Sequence, residues 1–379
     1  MFQVALKMLF HDSGKYLGLV LGLSFSILLI NQQSTIFIGM LGRSMAMIKD
    51  VPQANLWVME PGTTNLETAL PMRDIELARV RGVRGVQWAV PMIKANAVVR
   101  SDSGELRLIE MQGVDEASLI GVPVQFLMGS PQDLRRPEAV AISRYGFQKL
   151  WPGEPLSLGK VLEVNDHRAV VVAIVEEKPR FLMGVTLFTR YSQALLYANL
   201  GRHQMSHVLV QTMPGEAPEV VADRIQERTG LHALSAQEAY RLQLRFFLFD
   251  TGIPVVMGML VLLGIVVGAA IVGLLFNQFV LENLRHFAVL KALGVRNTRL
   301  MALVLWQATV VGVTGYSIGL GAVSLFFQLA KANPSFRGYF LPWQVALGSA
   351  VIAAGITIFA SLLALRRVLR VEPAVVFRG

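Results

Sequence analysis

The chain has 379 residues, of which 53% are hydrophobic, and a formal net charge of +9. Its mean hydropathy of +0.50 is too high for an ordinary soluble protein and predicts several membrane spans. The sequence contains no cysteine, which excludes disulfides, thiol nucleophiles and thiolate metal sites. Residues 43–250 carry equal numbers of acidic and basic side chains, so the positive excess lies in short segments beside the apolar stretches. This is the positive-inside pattern of a membrane protein, and it excludes a nucleic-acid-binding footprint.

The N-terminal segment, residues 1–15, is mildly amphipathic, with two lysines opposite its apolar side chains. We predict an interfacial helix on the cytoplasmic face of a membrane. The mostly apolar residues 16–41 follow, and no small-x-small cleavage site comes after their first apolar run. We therefore predict an uncleaved first transmembrane span, TM1.

A run of polar residues lies inside this first span. It consists of Asn31, Gln32, Gln33, Ser34 and Thr35. Amide side chains are costly in lipid, so we expect them to face another helix, a cavity or water. Two interpretations remain open: the run lines a gate or substrate entrance near the outer leaflet, or the span ends near residue 30 and the run begins a helical stalk.

Residues 42–250 are charge-balanced and numerous enough to form a core of their own. Short β-branched runs predict strands, and amphipathic runs predict helices. The predicted strands cover residues 55–59, 86–99, 106–113, 139–143, 161–164, 169–175 and 207–212, and the predicted helices cover residues 74–83, 191–200 and 218–229. We therefore predict a membrane α-helical protein with four transmembrane helices and a large extracytoplasmic (periplasmic) α+β domain inserted between TM1 and TM2.

The tetrapeptide Phe-Leu-Met-Gly occurs twice in this domain. The large apolar residues of the two copies are Phe126, Leu127, Met128, Phe181, Leu182 and Met183. If exposed, these side chains would suit contact with an adaptor or a substrate, because methionine adapts to varied surfaces. If buried, they are ordinary core residues.

Three further apolar stretches follow the domain. They predict TM2 at residues 251–280, TM3 at residues 301–329 and TM4 at residues 343–365, with a short outer loop at residues 330–342 and a cytoplasmic tail at residues 366–379. Four spans place both termini in the cytoplasm. Gly264 and Gly268 have the spacing of a close helix contact, which predicts a tight neighbour for TM2.

The segment between TM2 and TM3, residues 281–300, is basic and amphipathic. Arg285 and Lys291 supply charge. Phe287, Leu290 and Leu293 recur at helical spacing, and Gly294 follows as a helix stop. Such a helix, tethered between two spans, can dock into a groove on a soluble partner. In the other interpretation, the segment is a loop whose charges only fix the topology.

Motifs of catalysis are missing from the sequence. It contains no Walker A, G-x-S-x-G or H-E-x-x-H pattern, so nothing in it cradles nucleotide phosphates or marks a hydrolase of these types. His203 and His207 have helical ligand spacing but no evident carboxylate companion. We therefore predict structural histidines, no catalytic residue, no metal site and no cofactor.

Two parts of the sequence resemble a known family. HFAVLKALGVRNTRL, residues 286–300, resembles the loop between the second and third spans of FtsX/MacB-type ABC transporter permeases, where an arginine-rich segment running into LKALG contacts the ATPase. Arg370, Pro373 and Ala374 are similar to the R-x-x-P-A ending of that family. Residues 137–144 and 188–194 resemble the outer domain of its DevC-like branch, whose members usually have aspartate where Ser143 stands.

The resemblance implies a type VII (mechanotransmission) permease in the bacterial inner membrane. It implies a homodimer that works with a separate cytoplasmic ABC ATPase, which binds the ATP, and a periplasmic adaptor with an outer-membrane channel. The implied ATPase contacts are Arg285, Phe287, Leu290, Lys291 and Gly294. Movement of this segment would be carried by the long first and second spans to the outer domains, and would drive export of a periplasmic substrate.

Three alternatives share the four-span plan. A lipoprotein-extracting permease of the Lol type would need a lateral opening, for which the polar run of TM1 is an indirect sign. A haem-exporting permease would predict ligands at the outer end of the first spans, and residues 31–43 contain neither histidine nor tyrosine. An FtsX-like signalling permease would transport nothing and would activate a cell-wall hydrolase.

Overall fold

A computed structural model describes residues 2–101, 104–177, 184–198, 204–333, 336 and 339–370. The chain divides into two compact units. The membrane unit contains residues 1–39 and most of residues 253–379, and the inserted domain contains residues 40–252.

Twelve α-helices are formed by the described residues. They are α1 Phe2–His11, α2 Ser13–Ser44, α3 Ala46–Asp50, α4 Ile75–Arg81, α5 Arg144–Leu150, α6 Tyr191–Tyr197, α7 Pro218–Thr229, α8 Ala236–Arg245, α9 Ile253–Glu282, α10 Leu284–Ala292, α11 Asn297–Ala330 and α12 Trp343–Arg370. Four of them, α2, α9, α11 and α12, are long and apolar enough to cross a membrane. The prediction of four spans with a large α+β domain between the first and the second is confirmed.

Small side chains bring the spans of the membrane unit together. A Cβ atom on Gly268 of α9 would clash with Ser26 of α2, and a Cβ atom on Gly319 of α11 would lie 2.7 Å from the backbone oxygen of Ser24. The hydroxyl of Ser24 also donates a hydrogen bond to the carbonyl of Gly315 at 2.9 Å. Because α2 packs closely on both α9 and α11, the tight neighbour predicted for TM2 is confirmed.

The inserted domain contains twelve strands among its described residues. They are β1 Leu56–Met59, β2 Met72–Arg73, β3 Val86–Arg100, β4 Leu106–Val114, β5 Phe126–Met128, β6 Ala139–Ser143, β7 Val161–Val164, β8 His167–Val175, β9 Thr186–Arg190, β10 Gln204–Met205, β11 His207–Thr212 and β12 His232–Ser235. Ten of them form one sheet in the order β12-β1-β11-β3-β4-β9-β6-β8-β5, with β7 paired to both β3 and β8. Strands β2 and β10 form a separate pair.

The long strand β3 belongs to two lobes. In the first lobe β3 is the last strand of an antiparallel sheet that also contains β12, β1 and β11. Buried residues of α4 and α7 cover one face of this sheet, and buried residues of α3 and α8 cover the other. In the second lobe the pairings of β3, β4, β9, β6, β8 and β7 close a ring. Closure removes sheet edges, and the ring encloses an apolar core that includes Val99, Ile109 and Leu187.

Candidate functional site

The connection between α9 and α10 is held by Asn283. Its Nδ2 donates a hydrogen bond to the carbonyl of Phe279 at 2.9 Å, and its carbonyl accepts one from the N–H of Phe287 at 3.2 Å. A single residue therefore separates the end of α9 from the start of α10. The start of α10 is therefore tied closely to the end of α9.

The other end of α10 closes at Gly294, as the sequence predicts. Gly294 has a φ of +85°, a conformation that glycine adopts without strain. Its N–H donates to the carbonyl of Lys291 at 3.0 Å, and the N–H of Val295 donates to the carbonyl of Leu290 at 3.1 Å. These two bonds are those of a Schellman motif, which satisfies carbonyls that a helix end leaves without partners.

One face of α10 is buried within the membrane unit. Phe287 is 1% exposed and Ala288 is fully buried. Phe287 belongs to the same apolar cluster as Phe279 of α9 and Leu300 of α11. This packing fixes the rotation of α10 about its own axis, because turning the helix would bring a phenylalanine to the surface.

The opposite face of α10 combines cations with exposed apolar side chains. Arg285, Val289 and Leu293 follow one another at intervals of four residues and are all exposed, with 76% of Leu293 accessible. Arg296 is exposed just beyond the helix. The sequence places Leu293 in the apolar pattern but not among the predicted contacts, and Val289 was missed, although its spacing from Arg285 carries the signal.

The predicted ATPase-contact residues fall into three environments. Arg285 and Gly294 are exposed, Leu290 and Lys291 are half-buried, and Phe287 is turned into the chain's own core. In this structure Phe287 therefore anchors α10 and offers no surface to a partner. The apolar surface near the predicted contact comes from Val289 and Leu293 instead.

The polar run of TM1 lies within α2, which continues without a break to residue 44. Asn31 is fully buried, donates to the carbonyl of Ile27 at 2.8 Å, and accepts a hydrogen bond from the hydroxyl of Ser349 on α12 at 3.0 Å. Thr35 is also buried, and the residues between them, Gln32, Gln33 and Ser34, are half-buried. Asn31 therefore links two spans. The polar side chains of this run that remain partly accessible are those of Gln32, Gln33 and Ser34.

The first Phe-Leu-Met segment forms strand β5 at the edge of the sheet. Its three side chains are half-buried: Phe126 packs on one apolar cluster of the second lobe, and Leu127 and Met128 pack on another. The second segment, Phe181 to Met183, lies outside the described residues, as does His203. The first segment is therefore neither a free tip nor a fully buried core element.

A buried ionic cluster inside the inserted domain was not predicted from the sequence. Lys94 on β3 forms ion pairs with Glu67 and, at 3.0 Å, with Glu110 on β4, and at most 6% of any of the three side chains is exposed. His207 on β11 lies on the same face of the sheet, because it pairs with Met92, two residues before Lys94. Burial, with a smaller contribution from the charge of Lys94, lowers the pKa of His207 to about 3. The signal available in the sequence was a lysine within the otherwise apolar residues 88–95 of β3.

Comparison with protein families decides what kind of chain this is. The MacB-like periplasmic core domain family model matches residues 17–228, which is more than half of the chain. The FtsX-like permease C-terminal family model matches residues 258–373, a range that contains α10. The chain belongs to the FtsX/MacB family of ABC transporter permeases.

Relatives of this permease share most of its length. The uncharacterized ABC transporter permeases Rv0072 and Rv2563 of Mycobacterium tuberculosis are each 28% identical to it, and each alignment covers 82% of this chain and 80% of the relative. Among solved structures, the extracellular domain of the noncanonic ABC-type transporter YknZ from Gram-positive bacteria is similar, with 17% identity, a TM-score of 0.36, and coverage of 48% of this chain and 98% of that domain. The periplasmic region of MacB from Actinobacillus actinomycetemcomitans has 11% identity, a TM-score of 0.39, and coverage of 52% and 96%.

Membership of the family gives the outline of the function. The permease is a multi-pass membrane protein and a component of an ABC transporter, which implies a cytoplasmic ATPase as its partner. The residues of α10 lie in the matched C-terminal region, whereas Asn31 and Phe126 lie in the matched N-terminal region.

Proposed function

We propose that this permease couples ATP hydrolysis by a separate ABC ATPase to the export of a periplasmic substrate, and that the ATPase docks on the outward face of α10. The observation that carries this proposal is the exposure of Val289 and Leu293 beside Arg285 and Arg296 on a helix whose other face is anchored. Apolar side chains surrounded by cations suit a protein interface, in which burial supplies affinity and charge supplies orientation.

The anchored face of α10 explains how force would reach the membrane spans. Phe287 holds the helix in the apolar core, and Asn283 joins it directly to α9. A rigidly held helix transmits a push, whereas a mobile loop would absorb it. On this proposal, dimerisation of the ATPases displaces α10, the long spans α2 and α9 act as levers, and the inserted domains of a homodimer change their spacing.

The remaining predicted partners belong to the same proposal. The permease would sit in the inner membrane with both termini in the cytoplasm, and the inserted domain would meet a periplasmic adaptor that leads to an outer-membrane channel. Phe126, Leu127 and Met128 support an adaptor contact because β5 is an edge strand with half-buried side chains. The proposal of a gate is supported by three half-buried polar groups on a membrane helix, those of Gln32, Gln33 and Ser34.

The docking proposal is tested by a substitution on the exposed face. Leu293→Asp places a charge where an apolar contact is proposed, and we expect recovery of the ATPase with the tagged full-length permease from native membranes to fall about tenfold, which corresponds to about 1.4 kcal/mol. Leu293→Met keeps the apolar contact and should keep the recovery. Because Leu293 is 76% exposed, neither variant should change the amount of permease in the membrane. Undiminished recovery of the ATPase with Leu293→Asp would refute the docking site.

Mass spectrometry of the same preparation separates the candidate functions. An ATPase recovered with an adaptor supports export. An ATPase recovered with a cell-wall hydrolase supports the FtsX-like signalling alternative, and one recovered with a lipoprotein or with bound haem supports the Lol-type or haem-exporting alternative.

A further inference from the structure

Lys15 connects two distant parts of the membrane unit. It lies in the first turn of α2, and its ammonium group forms ion pairs with Asp12, just before that helix, and with Glu282, the last residue of α9. The backbone N–H of Lys15 also donates to Asp12 Oδ1 at 3.2 Å. On the other side, Gln278 Nε2 donates to Glu282 Oε1 at 3.3 Å. Both ends of the connection are therefore held by a second contact.

The segment that precedes Lys15 is itself fixed to the membrane unit. Ala5 and Leu9 of α1 are fully buried in the cluster that also contains Phe287. Gln307 of α11 donates from Nε2 to the carbonyl of Ala5 at 3.0 Å. Hence α1, the start of α2, the end of α9 and α10 meet in one region of the membrane unit.

We propose that the Lys15–Glu282 ion pair positions α2 against the α9–α10 junction and transmits the displacement of α10 to α2, which leads into the inserted domain. This inference rests on the proposed function, because it takes α10 as the element that the ATPase moves. Glu282 is separated from α10 only by Asn283, so it must follow the start of α10 when that helix moves.

The ion pair lies at the ends of α2 and α9 that are nearest to α10. Farther along, the two helices are held side by side by small and apolar side chains, such as Gly22 beside Ile271 and Gly268 beside Ser26. The ion pair adds to this packing a contact between one position on α2 and one position on α9, directly before Asn283 and the start of α10.

Because both side chains are partly exposed, the ion pair can be broken without unfolding the permease. Lys15 is 21% exposed and Glu282 is 49% exposed in their side chains. Ion pairs with this much access to water contribute little to stability, so breaking this one should leave the permease folded and its α10 surface unchanged. If a variant loses the movement of α2 that follows the movement of α10, unfolding would then not be the cause.

The test uses charge reversal and two reporters in the cysteine-free background of the natural chain. The variants are Lys15→Glu, Glu282→Lys and the double exchange, each in the full-length permease reconstituted with its copurified ATPase. A nitroxide is attached through Gly42→Cys near the end of α2, or through Gly321→Cys on α11. A Cβ atom at either glycine would meet no atom of the described residues within 4 Å. The measurement is the change in nitroxide mobility on addition of ATP and magnesium.

We expect the ATP-dependent change at position 42 to fall about two- to fivefold in each single variant, because an ion pair with this exposure is worth up to about 1 kcal/mol. It should return in part in the double exchange, which restores the pair between positions 15 and 282 but places two carboxylates at positions 12 and 15. The reporter at position 321 should respond equally in all variants, because α11 is joined to α10 by the chain itself. An undiminished response at position 42 in the single variants would overturn the inference while leaving the proposed function intact. No response at either position in the natural sequence, with the ATPase bound, would overturn the proposed function and the inference with it.

Discussion

His207 should make the stability of the inserted domain depend on pH, and replacing it with leucine should remove that dependence. Its imidazole is fully buried and lies edge-on to the ring of Trp57 at 5.7 Å between centroids, and neither nitrogen has a hydrogen-bond partner among the described residues. Burial and, secondarily, the charge of Lys94 lower the pKa of His207 from 6.5 to about 3. The carboxylates of Glu67 and Glu110 face the same lysine and offset part of its charge.

The size of the effect follows from the two pKa values. The folded domain keeps His207 neutral, whereas the unfolded chain protonates it below pH 6.5, so the unfolded state binds the extra proton. The stability contributed by the neutral imidazole is complete above pH 6.5 and is lost as the pH falls towards 3. With about 1.4 kcal/mol for each pKa unit, the loss is on the order of 1 kcal/mol between pH 7.5 and pH 5.5, and on the order of 3 kcal/mol by pH 4.5.

The assay is urea denaturation of the full-length permease in a non-ionic detergent at these three pH values. Three of the five tryptophans, Trp57, Trp88 and Trp151, lie in the inserted domain, so all variants carry Trp306→Phe and Trp343→Phe, and the fluorescence then reports on that domain. Carboxyl groups also titrate in this range. The quantity to compare is therefore the difference in the free energy of unfolding between the natural chain and His207→Leu at each pH. A matched control is His167→Gln, because His167 is half-exposed whereas His207 is fully buried. An equal loss of stability in the natural chain and in His207→Leu would refute the reasoning.

Two further substitutions test the interior of the inserted domain and the interior of the membrane unit, one substitution for each. Lys94→Met should destabilise the inserted domain by about 3–5 kcal/mol, because Glu67 and Glu110 would be left buried without their cation, and adding Glu67→Gln should recover part of the loss in the same urea assay. Gly319→Ala should lower the thermal unfolding temperature of the membrane unit in detergent, at a cost of about 1–3 kcal/mol, since the new methyl group meets the backbone of α2 at 2.7 Å. Gly321→Ala has open space and should leave that temperature unchanged; equal effects at the two glycines would contradict the packing argument.

Elements with a local signal could be predicted from the sequence. The four spans follow from apolar runs, and the end of α10 follows from Gly294, whose left-handed conformation needs no information from distant residues. Most strands of the inserted domain also follow from short β-branched runs. The strands that were missed are β2, β5, β9, β10 and β12, each of which is stabilised by a partner far away in the chain.

The faces of α10 show where sequence reasoning reaches its limit. An apolar stripe of period 3.6 looks the same whether it packs on its own protein or on a partner. Phe287 was therefore predicted as a contact, whereas the structure uses it as an anchor, and Leu293 is the side chain with 76% exposure. The buried cluster around Lys94 was not predicted either, because its members come from three separate segments that only the fold brings together.

The arrangement of α2 and α9 gives the Lys15–Glu282 pair a further consequence. The inserted domain is attached to the membrane unit through both of these helices, since α2 precedes it and α9 follows it. A displacement that reached α9 alone would move one attachment point against the other, and part of it would be absorbed as distortion of the domain. A displacement shared by both helices would move the two attachment points together. Lys15 and Glu282 are 267 positions apart in the chain, so the contact that would make the difference is found only in the folded structure.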